Sequence, residues 1–248
     1  MQAIQAHTGI LVQARMGSTR LPGKVDMPIF GKTALQWIDH RLNSLNIPLV
    51  LATSNLAQDD LLEERGKTLG WKVFRGSETD VLARFAGAAH AFGLQHLIRI
   101  TADCPLICAD VLQQGLQTYS ALPQGRTYVS NSLERTFPRG LDMEIFSAEL
   151  LFEAEKNALH PAEREHVTPY MYLGEHQATH QAQVLHSKNY NHIRLTLDTP
   201  EDLLVIERSM QELHLHACLN YEEMWPKFEG QQALFELNQN VEQKKTGL

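Results

Sequence analysis

The stretch from Gly9 to Lys24 reads GILVQARMGSTRLPGK, and it decides the fold. Its first residues are apolar, which predicts a short buried strand. The loop that follows holds two glycines, a proline, two hydroxyls and three cations. Glycines let a backbone approach a ligand closely, successive amide groups can face one concavity, and Arg and Lys neutralise negative charge. The sequence therefore predicts a polyphosphate site at the end of this strand.

The loop is not the P-loop of kinases and ATPases. Gly17 and Gly23 enclose five residues where the P-loop has four, and Val25 stands where a Ser or Thr would bind magnesium. A P-loop enzyme is therefore excluded.

Strands and helices alternate through the first half of the chain. The apolar patterns predict strands at 48–54, 71–74 and 96–101 and helices at 33–45, 55–69 and 77–92. This order predicts an α/β fold with a parallel sheet and right-handed crossovers. Ligands bind at the carboxyl ends of such strands, so we expect the polar loops that start at Arg15, Arg75 and Asp103 to share one cleft.

The second half is less regular. It predicts helices at 108–119, 147–159 and 199–213, another helix from residue 161, and strands at 127–130, 139–146 and 192–197. No linker or repeat divides the chain, which predicts a single domain over 1–248. Its core would span about 9–213, with a helical tail at 214–248 whose last residues, 243–248, are expected to fray.

Composition and charge exclude several classes of protein. The chain is 43% hydrophobic and 21% charged, which is ordinary for a globular protein, and its net charge is −7. Broad binding to nucleic acid needs a basic face, so we expect none. A nucleotide stays possible because five cations focused in one cleft can oppose the overall charge. The absence of a long apolar run, of a signal-peptide pattern and of a zinc or disulfide spacing predicts a cytoplasmic protein with no membrane partner.

Residues 13–24, QARMGSTRLPGK, resemble the signature loop of the cytidylyltransferases that activate acidic sugars, the CMP-Kdo and CMP-sialate synthetase superfamily. The match is best to the branch named for spore coat polysaccharide biosynthesis protein F, with every residue of the loop in place. The resemblance implies a three-layer α/β/α nucleotide-diphosphosugar transferase fold with a mostly parallel, Rossmann-like sheet. It also implies transfer of CMP from CTP to an acceptor with release of pyrophosphate.

The same resemblance implies a role for the loop residues and for two aspartates. It makes Arg15, Lys24 and Asp103 the catalytic residues, and it makes Asp103 and Asp198 the ligands of Mg²⁺. Magnesium prefers oxygen ligands and usually takes one or two carboxylates. From the residues alone, the favoured interpretation of Asp198 or Thr199 is the N-cap of the following helix.

The nucleotide-binding residues implied by the resemblance lie in three segments. They are Ala14, Arg15, Gly17, Ser18, Arg20, Lys24, Arg75, Gly76, Ser77, Asp80, Arg84, Thr101 and Ala102. The segment 74–84 would lie against the base and ribose. Asp80 and Arg84 are four residues apart, so an ion pair on a helix surface is an equal alternative for these two.

Acceptor binding is expected from the second half of the chain. The residues are Arg139, Asp142, Glu144, Glu165 and His166, with Arg135 as a further candidate on charge alone. Charges at a helix start are more often simply solvated, so that alternative stays open for Glu165 and His166.

The sequence thus predicts a CTP-dependent cytidylyltransferase that acts on an acidic sugar or a related small acceptor. The family's habit of pairing implies a homodimer. Two alternatives remain: a nucleotidyltransferase of the same fold with another NTP or a non-sugar acceptor, and a catalytically silent nucleotide-binding protein.

Overall fold

A computed structural model describes residues 6–243. Within that range the strands are β1 (Thr8–Gln13), β2 (Leu49–Ser54), β3 (Lys72–Gly76), β4 (His96–Thr101), β5 (Thr127–Ser130), β6 (Glu144–Ser147) and β7 (His180–Gln183). The expected fraying concerns 243–248, and all of these residues except Gln243 lie outside the described range.

The α-helices in the same range fall between and after the strands. They are α1 (Ala34–Leu42), α2 (Asp60–Thr68), α3 (Val81–Ala91), α4 (Ala109–Ala121), α5 (Ala148–Asn157), α6 (Pro161–His166), α7 (Pro169–Tyr172), α8 (Pro200–Glu212), α9 (Tyr221–Met224) and α10 (Gln232–Phe235). Short 3-10 turns lie at Asn43–Leu45, Ala57–Asp59, Trp225–Phe228 and Glu236–Asn238.

The strands form one sheet in the order β3-β2-β1-β4-β6-β5-β7. Strand β6 runs antiparallel to both of its neighbours, β4 and β5, whereas every other pair is parallel. The α/β fold with a mostly parallel sheet is confirmed.

Helices cover both faces of the sheet, because the side chains of each strand alternate between two apolar clusters. On β1, Ile10 and Val12 belong to the cluster that packs under α1, α4 and α8, and Leu11 belongs to the one under α3, α5 and α7. Tyr221 and Phe235, from α9 and α10, join the first cluster. The described part of the tail is therefore packed against the sheet's helical layer, while the division into a core at 9–213 and a tail stays a prediction.

Two adjacent strands bring the polar loops together. β1 and β4 pair in parallel, with Gln13 opposite Thr101 at their carboxyl ends. The loop from Ala14 and the loop that carries Asp103 therefore start side by side, as a parallel sheet requires.

The predicted strand at 192–197 is wrong. Its backbone changes partners too often to build a ladder: Leu195 N donates to Arg139 O at 2.7 Å, and Leu197 N donates to Asp103 O at 2.7 Å. Only one bridge, between Arg139 and Arg194, has strand geometry.

The predicted strand at 139–146 is too long at its start. Asn131 Nδ2 donates to Leu141 O at 2.8 Å, and Asn131 Oδ1 accepts from Met143 N at 2.9 Å. The Asn131 side chain therefore occupies the backbone groups that a neighbouring strand would otherwise bond. Gly140 has a φ of +103°, and a Cβ on it would lie 2.5 Å from the carbonyl carbon of Leu195. The segment 139–143 is therefore a tight crossing, and the strand begins at Glu144.

Two predicted helices start later than the apolar pattern suggested. The Asp80 side chain accepts from Ala83 N at 3.0 Å and caps α3, which leaves 77–80 as a loop. A 3-10 turn ending at Asp59 precedes α2.

No helix within residues 6–243 is long and apolar enough to cross a membrane.

Candidate active site

A cleft of about 440 Å³ opens at the carboxyl ends of β1 and β4. Its size suits a small-molecule ligand. Thirteen residues predicted from the sequence line it: Ala14, Arg15, Gly17, Ser18, Arg20, Lys24, Thr101, Asp103, Arg139, Asp142, Glu165, His166 and Asp198. The expectation that three loops distant in sequence share one cleft is confirmed, since the loop after β3 also lines it through Glu78 and Thr79.

Lys24 lies between the two predicted metal ligands. Its Nζ is 2.9 Å from Asp103 Oδ2 and 2.7 Å from Asp198 Oδ1. These two oxygens are therefore at most 5.6 Å apart (2.9 Å plus 2.7 Å). The Lys24 side chain is only 11% exposed, so the three charges interact with little screening.

The charges of Lys24 and Asp198 are fixed at neutral pH. Burial alone would lower the pKa of Lys24, but Asp103 and Asp198 outweigh it and raise this pKa above its usual value. Burial likewise would raise the pKa of Asp198, yet Lys24, Arg20 and Arg194 together lower it. The site therefore presents a charged ammonium group facing at least one ionised carboxylate.

Two arginines hold the other oxygen of Asp198. Arg20 Nη2 is 2.9 Å and Arg194 Nη2 is 2.8 Å from Asp198 Oδ2. The N-cap of α8 is Thr199, whose hydroxyl accepts from Asp202 N at 3.3 Å in a capping box. Capping is thus done by Thr199, and the Asp198 carboxylate is available to the cleft.

The loop after β1 is held by a buried carboxylate. Asp59 is fully buried, and its Oδ1 accepts from Met16 N at 2.7 Å. Its Oδ2 accepts from the Ser54 hydroxyl at 2.5 Å. Because an unpaired buried carboxylate is costly, these bonds fix the start of the loop against the end of β2.

Charges of both signs line the cleft in equal number. Its cations are Arg15, Arg20, Lys24, Arg99 and Arg139, and its carboxylates are Glu78, Asp103, Asp142, Glu165 and Asp198. Five cations do converge, as expected, but five acids accompany them. With histidine neutral, the cleft itself has no net positive charge, which corrects the idea that cations alone would attract a nucleotide.

A strained turn positions the wall opposite the loop. Val167 has φ +73° and ψ −55°, and Thr168 N donates to His166 O at 2.9 Å, which is a classic γ-turn. Such a conformation costs about 1–3 kcal/mol and persists where the surroundings hold it, often at functional sites. It points His166 at the cleft, while Thr168 donates to Glu144 Oε1 at 2.6 Å behind it.

The sequence model of the cytidylyltransferase family matches residues 9–244. The chain belongs to this family. It is therefore a CTP-dependent nucleotidyltransferase.

Individual proteins agree with this assignment. The chain is 35% identical over 212 residues to the spore coat polysaccharide biosynthesis protein SpsF of Bacillus subtilis (strain 168), covering 82% of this chain and 85% of that one. A solved cytidylyltransferase from Leptospira borgpetersenii serovar Hardjo-bovis (strain JB197) superposes with a TM-score of 0.80 at 30% identity, covering 96% and 99% of the two chains. A CMP:2-keto-3-deoxy-manno-octonic acid synthetase complexed with CTP shares the fold, with a TM-score of 0.60 at 17% identity over 83% and 99%.

Seven of the predicted residues do not line the cleft of this cytidylyltransferase: Arg75, Gly76, Ser77, Asp80, Arg84, Ala102 and Glu144. Arg75 belongs to an ion-pair group on the outside of the sheet, with Nη1 2.6 Å from Asp60 and 2.7 Å from Glu63. In the same segment, 74–84, the lining residues are Glu78, Thr79 and Val81. Ala102 is buried and pairs with β1 through its backbone, since its N donates to Gln13 O at 2.9 Å.

Asp80 and Arg84 do not form the alternative ion pair either. The Asp80 carboxylate pairs with Arg164, whose Nη2 lies 2.5 Å away, across 84 residues of sequence. Arg84 is buried and donates to Ser77 O at 2.6 Å. Burial and the nearby Arg15 lower the pKa of Arg84 to about 10.

Glu144 and Arg135 each form an ion pair with another side chain. Glu144 forms an ion pair with Arg99 and accepts from the Tyr128 hydroxyl at 2.6 Å. Arg135 forms an ion pair with Asp142. Arg99, not Glu144, reaches the cleft, so Glu144 lies behind an arginine that the sequence did not single out.

Two of the lining residues that the sequence analysis missed lie far from the family loop in the sequence. Arg99 sits in the middle of β4, and Gln243 comes from the end of the described tail. The resemblance to the family loop at residues 13–24 could not indicate Arg99 or Gln243, because neither residue lies in that loop. Arg194, which pairs with Asp198, was also missed.

The two aspartates of this cytidylyltransferase fit a magnesium ion in donor type. Both offer carboxylate oxygens toward one point, which the ammonium of Lys24 takes in this structure. An ion bound by both aspartates would need the ammonium to leave this position. Within residues 6–243 no three or more His, Cys, Asp or Glu side chains are grouped so that they could hold a metal ion by themselves.

Proposed function

We propose that this cytidylyltransferase transfers CMP from CTP to an acidic sugar or a related acceptor, with release of pyrophosphate, in the synthesis of a surface polysaccharide or glycan. The observation that carries the proposal is Lys24, at the end of the family loop, between Asp103 and Asp198. The polysaccharide assignment is supported by the similarity to the spore coat polysaccharide biosynthesis protein of Bacillus subtilis.

The chemistry is an in-line displacement at phosphorus. An oxygen of the acceptor forms a bond to the α-phosphorus of CTP, and the bond from that phosphorus to the oxygen bridging to the β-phosphorus breaks. Pyrophosphate departs with that oxygen. Arg15, Arg20 and Lys24 line the cleft, where their fixed positive charges stabilise the triphosphate and the leaving pyrophosphate. Because positioning and electrostatics suffice, no covalent enzyme intermediate is needed.

Magnesium would be held by Asp103 and Asp198. When bound, it would act as a Lewis acid and a template for the phosphate oxygens. The charge balance of the cleft supports this part of the proposal, since five carboxylates offset its five cations. A triphosphate needs further positive charge, and a divalent cation supplies it.

The acceptor would meet the side of the cleft that Arg139, Asp142, Glu165 and His166 line. Arg139 is the cation on this side, and burial together with Arg135 lowers its pKa. An acidic acceptor fits this half-buried guanidinium, because Arg offers two parallel donors to a carboxylate. A homodimer and a cytoplasmic location remain part of this proposal on family grounds.

The test measures pyrophosphate release. Purified protein with MgCl₂ is given CTP, UTP, GTP or ATP together with a panel of acidic sugars, neutral sugars and polyol phosphates. The proposal expects release with CTP and an acidic sugar. Asp103→Asn is the inactive reference, and Asp110→Asn is a control on α4, outside the lining of the cleft.

Three outcomes separate the alternatives. Preference for another NTP, or activity only with a non-sugar acceptor, would replace the substrate assignment. Metal-dependent CTP binding without turnover over the whole panel would favour a silent nucleotide-binding protein. Equal activity in Asp103→Asn and wild type would remove Asp103 from the mechanism.

A further inference from the structure

The C-terminal segment 238–243 is tied to the candidate active site at both of its ends. At its start, Asn238 is 1% exposed, and its Nδ2 donates to Arg194 O at 3.0 Å and to Asp202 Oδ1 at 2.8 Å. Buried amides require such partners, so these bonds fix where the segment begins.

The end of the segment meets the two arginines that hold Asp198. Glu242 O accepts from Arg20 Nη1 at 3.0 Å, and Gln243 Oε1 accepts from Arg194 Nη1 at 2.8 Å. Each of these arginines uses its other terminal nitrogen, Nη2, for Asp198 Oδ2. Gln243 also lines the cleft.

Arg194 transmits the position of Gln243 to Asp198. The Arg194 guanidinium binds Asp202 with Nε at 2.8 Å and Nη2 at 3.0 Å, and Asp198 with Nη2 at 2.8 Å. The group is planar and rigid, so a partner on Nη1 also restrains the direction of Nη2. With its Oδ2 held in this way, Asp198 presents Oδ1 to Lys24 and the cleft.

We infer that the end of this segment, Glu242 and Gln243, is part of the candidate active site and that Gln243 is a positioning residue for Asp198, acting through Arg194. The inference rests on the proposed function, because it assigns Asp198 to the metal that accompanies CTP. Groups that orient a metal ligand change metal affinity or activity by about 10–100-fold when they are removed.

Gln243 is well suited to a clean test. It is exposed, and within the described residues its side chain makes one hydrogen bond, the one from Arg194. Its replacement should therefore leave folding unchanged. Gln239, exposed in the same segment, provides the matched control.

The experiment compares wild type with Gln243→Ala, Gln243→Met and Gln239→Ala. CTP affinity is measured by calorimetry with and without MnCl₂, and protein-bound Mn²⁺ is followed by electron paramagnetic resonance in the presence of CTP. We expect both Gln243 variants to bind CTP about tenfold more weakly with Mn²⁺. Their CTP affinity without metal and their melting temperatures should match wild type, and Gln239→Ala should match it throughout.

The outcomes that overturn the inference are distinct from failure of the proposed function. If wild type shows no Mn²⁺-dependent CTP binding, the proposed function fails and the inference fails with it. If wild type binds and Gln243→Ala binds equally well, only the inference fails. Normal binding by Gln243→Met would also overturn it, because Met keeps the length of the side chain but lacks the acceptor oxygen.

Discussion

Replacing Lys24 with Met removes the ammonium group that separates Asp103 from Asp198. In the absence of ligands the two carboxylate oxygens, at most 5.6 Å apart (2.9 Å plus 2.7 Å), would then face each other directly. At an effective dielectric constant of 20, two unit charges at that distance repel by about 3 kcal/mol. Arg20 and Arg194 still pair with Asp198, so we expect a net destabilisation of about 2 kcal/mol.

The same variant should gain affinity for a divalent cation without nucleotide. Once the ammonium is gone, the two carboxylates are left with a vacant position between them that a hard cation prefers. A cation at ten times its dissociation constant would stabilise the variant by about 1.4 kcal/mol. In wild type, Lys24 competes with the cation, so addition of metal alone should change stability much less.

The assay is thermal unfolding with and without MnCl₂, combined with pyrophosphate release from CTP. We expect Lys24→Met to melt about 4–8 °C below wild type, to recover in part with Mn²⁺, and to lose about 10²–10³ in turnover rate. Lys156→Met, on the exposed side of α5, is the control and should match wild type. A Lys24→Met protein that turns over CTP normally, or that Mn²⁺ stabilises no more than wild type, would refute this account of the triad.

Three further predictions concern stability. Because its cationic partners lower the pKa of Asp198 below 3.8, its carboxylate stabilises the fold above that pH, and the contribution disappears as the pH falls through the lowered pKa. Urea unfolding should therefore show wild type and Asp198→Asn converging at pH values below 3.8, and a constant difference at all pH values would contradict this. Gly140→Ala should lower the free energy of unfolding by at least about 2 kcal/mol, because φ is +103° and the backbone of Leu195 lies where the Cβ would be. Unchanged urea unfolding would show that residue 140 does not pass this close to Leu195. Glu144→Gln should cost about 3 kcal/mol in the same measurement by leaving buried Arg99 without its ionic partner, and a neutral effect would show that this ion pair is not needed.

The parts of the structure that the sequence predicted are those determined by local pattern. The apolar run of β1 and the polar loop after it require only residues 9–24, and they led to Lys24, which lines the cleft at the end of that loop. The same holds for α8, where Thr199 and Asp202 form a capping box within four residues. In both cases the interactions that decide the structure lie within one short stretch.

The parts that escaped prediction depend on partners far away in the chain. Arg164 takes the Asp80 carboxylate that Arg84 could have paired with, and Asn131 takes the backbone groups that would have extended β6. Strand β7 (His180–Gln183) reads HQAQ, a polar edge strand without the alternation that reveals a buried one. Gln243 reaches the candidate site only because the tail folds back over α8.

The most direct test of the central claim is a crystal structure of the protein with CTP and Mn²⁺, with the ion located by its anomalous scattering. The account predicts one strong peak between the carboxylates of Asp103 and Asp198, with the Lys24 ammonium moved from between them onto the triphosphate. A bound CTP whose metal lies away from both aspartates, or a Lys24 that still bridges them, would contradict it.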